Sequence, residues 1–165
     1  MRRCLILSGS LALVLGLPLV AHAAPPGTGE RPLMARLLDG LGFVHERDSD
    51  GDYKLIFQLD DGRSQMVWIN GETETYGPYE IHEIWSPAHR FKGKLPEAES
   101  FLEDSQVKKL GAWQMRRISE DERVLIFVAK VPGPPTEASL RAVLQLVIDV
   151  ADSTEARLSG GKDNL

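Results

Sequence analysis

The feature that most constrains the fold of this chain is an uninterrupted apolar run, Val124-Leu125-Ile126-Phe127-Val128. Successive side chains of a β-strand point to opposite faces, so a strand without polar positions needs cover on both sides. Pro132, Pro134 and Pro135 follow it, and a proline has no N–H to donate to a neighbouring strand. We therefore predict a central strand over residues 124–131, covered on both faces and ended by the prolines.

Other extended segments are marked by alternating apolar and polar residues or by β-branched and aromatic residues. They span residues 53–59, 64–70, 79–85 and 113–118, and a shorter segment over residues 43–47 is left open and not counted in the order below. The turn residues 60–63 join two of them into a hairpin, and residues 119–122 join the last one to the apolar strand.

Three helices complete the order of elements. Leucines at helical spacing after Pro32 predict a short first helix, and Pro96 opens a second one that presents Ala98, Phe101 and Leu102 on one face. Thr136 is suited to cap a long last helix, which Gly160-Gly161 ends. The order α-β-β-β-α-β-β-α predicts an α+β fold with an antiparallel sheet of about five strands.

The last helix has more apolar surface than one sheet face needs, because its apolar positions cover an arc of roughly 200°. These positions are Leu140, Val143, Leu144, Leu146, Val147, Ile148, Val150, Ala151 and Leu158. Two interpretations stay open. Other parts of the same domain cover the excess, or Val143, Val147 and Val150 form the interface of a homodimer.

The first residues have the pattern of a secretory signal peptide. Arg2 and Arg3 precede an apolar stretch over residues 5–20, and Ala21-His22-Ala23 is a small-x-small cleavage site. We expect residues 1–23 to be removed, which gives a periplasmic protein without a stable membrane anchor. Residues 24–31 form a flexible lead-in, residues 32–160 form one domain, and residues 161–165 form a C-terminal tail.

Charge and cysteine content exclude several classes of function. Cleavage would leave 17 basic against 24 acidic residues, a net charge of about −7, which disfavours binding to nucleic acid. Cys4 is the single cysteine and lies in the predicted signal peptide. The mature chain would therefore have no disulfide, thiolate nucleophile or cysteine metal ligand. We predict no cofactor.

The C-terminal half carries a loose family pattern: Gly111-Ala112-Trp113, the apolar strand ending at Pro132, residues 136–140 as Thr-Glu-Ala-Ser-Leu, and Ala151-Asp152 on the last helix. With the order of elements, this pattern resembles the YbjN-like family over about residues 30–163. Those proteins share their fold with type III secretion chaperones of the Tir-chaperone kind. The resemblance implies a binding or regulatory module without catalytic residues.

Two groups of residues suggest a specific chemical role, metal binding or catalysis. Residues 48–52 read Asp-Ser-Asp-Gly-Asp, like the start of a calcium loop, but Tyr53 and Leu59 stand where that loop needs glycine and a carboxylate, so we predict a polar turn and no metal. His82, Glu83 and His89 lie close in sequence without the one-turn spacing of a helical zinc site. An enzyme using this cluster is one alternative function.

Trp68 and Trp85 lie on neighbouring predicted strands. They are either core residues or, if the helices leave one sheet face open, anchors for a peptide or an apolar ligand. We predict an exported non-catalytic binding module, chaperone-like or regulatory, whose partner is a protein or peptide. The other alternative is a structural or stress-related protein that associates only with itself.

Overall fold

The computed structural model describes residues 31–60 and 62–163. The predicted signal peptide, nearly all of the lead-in and the end of the tail lie outside these residues. The helices are α1 (Leu33–Gly40), α2 (Ala98–Val107) and α3 (Glu137–Ser159). The strands are β1 (His45–Arg47), β2 (Tyr53–Gln58), β3 (Ser64–Ile69), β4 (Glu74–Tyr76), β5 (Tyr79–Lys92), β6 (Ala112–Arg117) and β7 (Glu122–Gly133).

The predicted α+β class and the antiparallel sheet are confirmed. Seven strands are present in the described residues instead of about five, in the order β1-β2-β3-β5-β7-β6, with β4 paired to the start of β5. All neighbouring strands are antiparallel. Strand β7 lies between β5 and β6, so its predicted central position is also correct.

Strand β5 is longer than predicted, because it continues through Pro87 to Lys92. A β-bulge follows Pro87, and the register with β7 shifts before His89. The carbonyl of Pro87 accepts a hydrogen bond from the Gln65 side chain of β3. In an antiparallel sheet, the nitrogen and the carbonyl of one residue face the same neighbouring strand. The nitrogen of Pro87 therefore faces β3, where the backbone pairing has already ended, so the proline removes no hydrogen bond to β7.

Strand β4 is absent from the prediction. It forms a hairpin with β5 around Gly77-Pro78, and Tyr76 pairs with Tyr79 next to this turn. Gly77 has φ +59°, a conformation that glycine adopts readily. With three exposed residues, β4 offers no pattern of buried positions to recognise in the sequence.

Helix α2 begins later than predicted. Glu97 precedes it in the left-handed conformation, and Ala98 is the first helical residue. Phe101 is buried, whereas Leu102 is 68% exposed, so the predicted apolar face contributes one side chain to the core. Ser105 accepts the backbone N–H of Trp113, which fastens the helix to β6.

The main core lies between one face of the sheet and the three helices. Met34 and Leu38 of α1, Phe101 of α2, and Leu144 and Ile148 of α3 belong to one cluster with inward-facing strand residues. Helix α3 begins as predicted at Thr136, whose hydroxyl accepts the N–H of Ser139 in a capping box. Its predicted stop at Gly160 is also observed.

The residues proposed for a dimer interface lie in or against this core. Val143 and Val147 are 7% and 0% exposed within a single chain, and the half-buried Val150 packs against the same cluster. Helix α3 packs against strands β3, β5 and β7. Of the two interpretations of the long apolar arc, burial within the monomer is therefore the one that the structure supports.

The opposite face of the sheet carries no helix from the described part of the chain. Nevertheless, Val124, Ile126 and Val128 of β7 point to this face and are 8%, 0% and 2% exposed. They form a second, smaller cluster with Trp85. The prediction that β7 is covered on both sides holds, but side chains of the sheet provide the second cover in place of another layer.

Candidate functional site

The uncovered face of the sheet carries two stacked tryptophans flanked by two cations, which we call the cation–tryptophan row. It consists of Lys54, Trp68, Trp85 and Arg116. The two indole rings stack with centroids 5.8 Å apart and planes 11° apart. Lys54 Nζ lies 5.9 Å from the centre of Trp68, and Arg116 Cζ lies 4.4 Å from the centre of Trp85. Cations at such distances are attracted by the negative faces of the rings.

Strand register places these four side chains together. Lys54 pairs with Trp68 across β2 and β3, and Trp68 pairs with Trp85 across β3 and β5. Arg116 belongs to β6 and pairs with Val124 of β7. Its guanidinium nevertheless contacts side chains of β5, so it reaches across the outward residues of β7 and helps to cover them.

Polar side chains contact Trp85 and Arg116 at one end of the row. Glu83 forms an ion pair with Arg116, and its second oxygen lies 3.1 Å from Lys130 Nζ. Trp85 Nε1 donates a hydrogen bond of 3.1 Å to the side-chain oxygen of Asn70. Because the Glu83 side chain is 16% exposed, its contacts with the two cations are better shielded from water than those of a surface ion pair.

Beside the row lies a groove with a volume of about 470 Å³. Its apolar part is formed by Met66, Trp68, Trp85, Pro87, Ile118 and Val124, and its charged part by Asp48, Asp52, Lys54 and Arg90. Apolar walls with a few charged groups are typical of ligand-binding sites.

A buried polar network supports the floor of the groove where β3 and β5 separate. The Gln65 amide donates to Ser86 Oγ at 2.7 Å and to the carbonyl of Pro87 at 2.8 Å. Ser86 Oγ donates to the carbonyl of Met66 at 2.6 Å. These bonds connect β3 and β5 beyond the Trp68–Trp85 pair, where the backbone pairing of the two strands has ended.

The residues of the alternative enzyme site do not converge. Strand alternation turns His82 towards the core and Glu83 towards the uncovered face, where Arg116 and Lys130 engage it. His89 lies seven residues beyond His82 along the same strand, a separation of about 20 Å at the usual rise per residue. His82 is 7% exposed and packs beside Gly133, away from the groove.

The acidic segment at residues 48–52 forms a turn between β1 and β2. Asp48 Oδ1 accepts the backbone N–H groups of Asp50 and Asp52, and Asp52 Oδ1 accepts the N–H of Gly71. Across residues 31–60 and 62–163, no group of three or more His, Cys, Asp or Glu side chains is placed to hold a metal ion.

A second cavity, of about 510 Å³, lies between α2 and α3. Its charged groups already pair with one another: Arg157 lies 2.8 Å from Glu97, and Lys108 lies 3.1 Å from Asp104. Although this cavity is slightly larger, it is less apolar than the groove and has fewer charges left for a ligand. We therefore take the groove as the candidate site.

Sequence reasoning identified Trp68 and Trp85, and the structure brings them together. It missed Lys54, Asn70, Arg90 and Arg116. Lys54 lies at a solvent-facing position of an alternating strand, a pattern that does not distinguish it from other surface lysines. Arg116 contributes through its length, and its partners come from a strand that is not adjacent to its own.

Comparison with known proteins adds no residue to this site. No protein-family model matches the sequence, and no curated protein matches it. Within the part of the chain that the structure describes, no helix has the length and apolar character needed to cross a membrane.

Proposed function

We propose that this chain is an exported, non-catalytic binding module that holds a protein or peptide segment on the uncovered face of its sheet. Its role is chaperone-like or regulatory. The observation that carries the proposal is the cation–tryptophan row beside an apolar groove. Large aromatic side chains at a concave and partly exposed position are typical anchors of protein interfaces.

The arrangement of the sheet favours binding over catalysis. The ionisable side chains of the row face aromatic rings or opposite charges, and the histidines of the alternative enzyme site are separated along β5. General acid–base catalysis needs its groups within hydrogen-bond reach of one reacting atom. An α+β fold with all described helices on one sheet face is also compatible with the resemblance to the YbjN-like family, which stays part of the proposal.

Site-specific photo-crosslinking tests this function. A photoreactive phenylalanine analogue replaces Ile118, which lines the groove and is 46% exposed, or Ala142, which is exposed on α3. Both variants are expressed with the full N-terminus and irradiated in intact cells. We expect one defined protein to be linked at position 118 and absent at position 142, because the partner lies on the groove. The intact mass of the recovered chain also shows whether it begins at Ala24.

Other outcomes have distinct meanings. Adducts between two copies of this chain at position 118 would favour the self-associating alternative. Equal adducts at both positions, or none at either, would contradict a binding site on this face.

A further inference from the structure

Each of the two indoles on the uncovered sheet face already has two contacts with its ring, one with a cation and one with the other indole. The strand order places Lys54 and Trp85 on opposite sides of Trp68, and Trp68 and Arg116 on opposite sides of Trp85. Sugars and nucleobases bind tryptophan by stacking on a free face of the ring. With these contacts in place, we expect a partner of this site to meet the ring edges.

The polar atoms of the two indoles are engaged as well. Trp68 Nε1 donates to Met66 Sδ at 3.2 Å, and Trp85 Nε1 donates to Asn70 at 3.1 Å. The edge of an aromatic ring carries a partial positive charge. Groups that suit such an edge are aliphatic side chains, the face of another aromatic ring and carboxylate oxygens.

The groove also contains positive charges without a partner charge. Among the described residues, neither Lys54 nor Arg90 has an ion pair or a hydrogen bond from its side chain, and the contact of Lys54 is with the Trp68 ring. The groove also contains two carboxylates, those of Asp48 and Asp52, whose Oδ1 atoms accept backbone N–H groups of the loops and which neither cation contacts among the described residues. Two cations are thus available to a ligand in a chain whose formal net charge is −5.

The two cations lie on opposite margins of the apolar floor. Lys54 is on β2 and Arg90 is on β5, with β3 between them. Two strand spacings and about four residues along the strands separate their backbones by roughly 15 Å. In an extended segment, residues i and i+4 are about 13 Å apart and point to the same side, as does residue i+2.

From this spacing we infer that the groove binds an extended protein segment with the pattern acidic-x-apolar-x-acidic. The apolar side chain contacts Met66, Pro87 and the edges of the two indoles, and the two carboxylates contact Lys54 and Arg90. This inference rests on the proposed function and specifies the chemistry of the partner. A lipid with a single carboxylate would pair with one of the two cations and leave the other without a partner.

Peptide titration calorimetry with the mature chain tests the inference. The probe is a synthetic peptide with the pattern Glu-x-Leu-x-Glu and threonine at the spacer positions. Its two matched controls replace both glutamates by lysine or the leucine by serine. We expect binding of the first peptide only, weakened by added salt because exposed charges are screened.

Charge reversal in the protein provides a second test of the inference. In the double variant Lys54→Glu/Arg90→Glu, the Glu-containing peptide should bind about tenfold more weakly, since two favourable charge pairs become repulsive. The Lys-containing peptide should gain affinity for this variant. Lys109→Glu, which makes the same kind of charge change outside the groove, should alter either affinity less than about twofold.

Several results would overturn the inference. These are equal binding of the Glu- and Lys-containing peptides, binding of dodecanoate at least as tight as that of the peptide, or a concentration-dependent dimer that the double variant abolishes. If crosslinking captures a partner at position 118 but the acidic peptide does not bind, the proposed function survives and this inference fails. If neither experiment detects binding, both fail.

Discussion

The three tryptophans of this chain have two different roles. Trp113 belongs to the main core, where its ring packs edge-on against Phe101 and Phe127 at 5.2 Å and its Nε1 donates to Asp104. Trp68 and Trp85 face the other side of the sheet and remain half-buried. The sequence left two roles open for these indoles, core residue or binding anchor. Their position on the uncovered face of the sheet supports the role of binding anchor.

Glycine at position 71 permits a close approach between two loops beside the groove. A Cβ on Gly71 would overlap the backbone carbonyl of Gly51, which cannot move without disturbing the turn at residues 48–52. We expect Gly71→Ala to lower the free energy of unfolding by about 1–3 kcal/mol, the usual cost of overpacking. Urea denaturation followed by circular dichroism measures this loss.

Gly40→Ala is the matched control for this substitution. Its new Cβ would meet the end of the flexible Glu137 side chain, which has room to turn away. We expect a change within about 0.5 kcal/mol. Equal stability of the Gly71→Ala protein and the unmodified chain would show that the two loops do not pack as described.

At the scale of elements, β7 is buried on both faces although helices cover one. Leu125, Phe127 and Ala129 face the main core, and Ile126 lies among Val124, Val128 and Trp85 on the other side. A continuous apolar strand is therefore compatible with a sheet that has a single helical layer, provided that long side chains from neighbouring strands extend over it.

Two isoleucines on the uncovered face test this cover. Ile126 is 0% exposed and Ile56 is 56% exposed. We expect Ile126→Ala to lower the free energy of unfolding by about 2–5 kcal/mol, as in an ordinary core, because it leaves a cavity. For Ile56→Ala we expect a change within about 0.5 kcal/mol. Similar small losses in both variants, measured by urea denaturation, would mean that the outward side of β7 is solvated.

For the whole molecule, the two faces of one sheet have different tasks. One face, with α1, α2 and α3, contains the main hydrophobic cluster, and the other presents the cation–tryptophan row and the groove. The cluster of the first face is buried within a single chain. The proposed partner binds the other face.

Placing a charge at Val147 distinguishes the two interpretations of α3. Since this side chain is fully buried, Val147→Asp introduces an unpaired charge into the core. We expect a loss of at least about 3 kcal/mol, a large part of the stability of an ordinary domain, and therefore a loss of native circular dichroism. Ala142→Asp, on the exposed side of the same helix, should remain folded. A folded Val147→Asp protein with an altered oligomeric state, seen by sedimentation, would restore the dimer interpretation.

Part of the candidate site was predictable from the sequence and part was not. Trp68 and Trp85 are large aromatic residues on neighbouring predicted strands, and residue type and strand order sufficed to select them. Arg116 could not be selected, because its contacts depend on how far its side chain reaches across β7. The predicted strand over residues 79–85 ended before Pro87, because the sequence does not show which neighbouring strand the proline nitrogen faces.

The sequence by itself determined the elements whose signals are local. These are the two hairpins with their turn residues, the apolar strand before the prolines and the last helix between Thr136 and Gly160. Such signals depend on backbone dihedral preferences and on hydrophobic period over a few residues. Only the tertiary structure decided which face the helices cover, how Trp68 and Trp85 align, and that the excess apolar surface of α3 is buried within one chain. These features depend on strand register and on packing between distant segments, which local preferences do not specify.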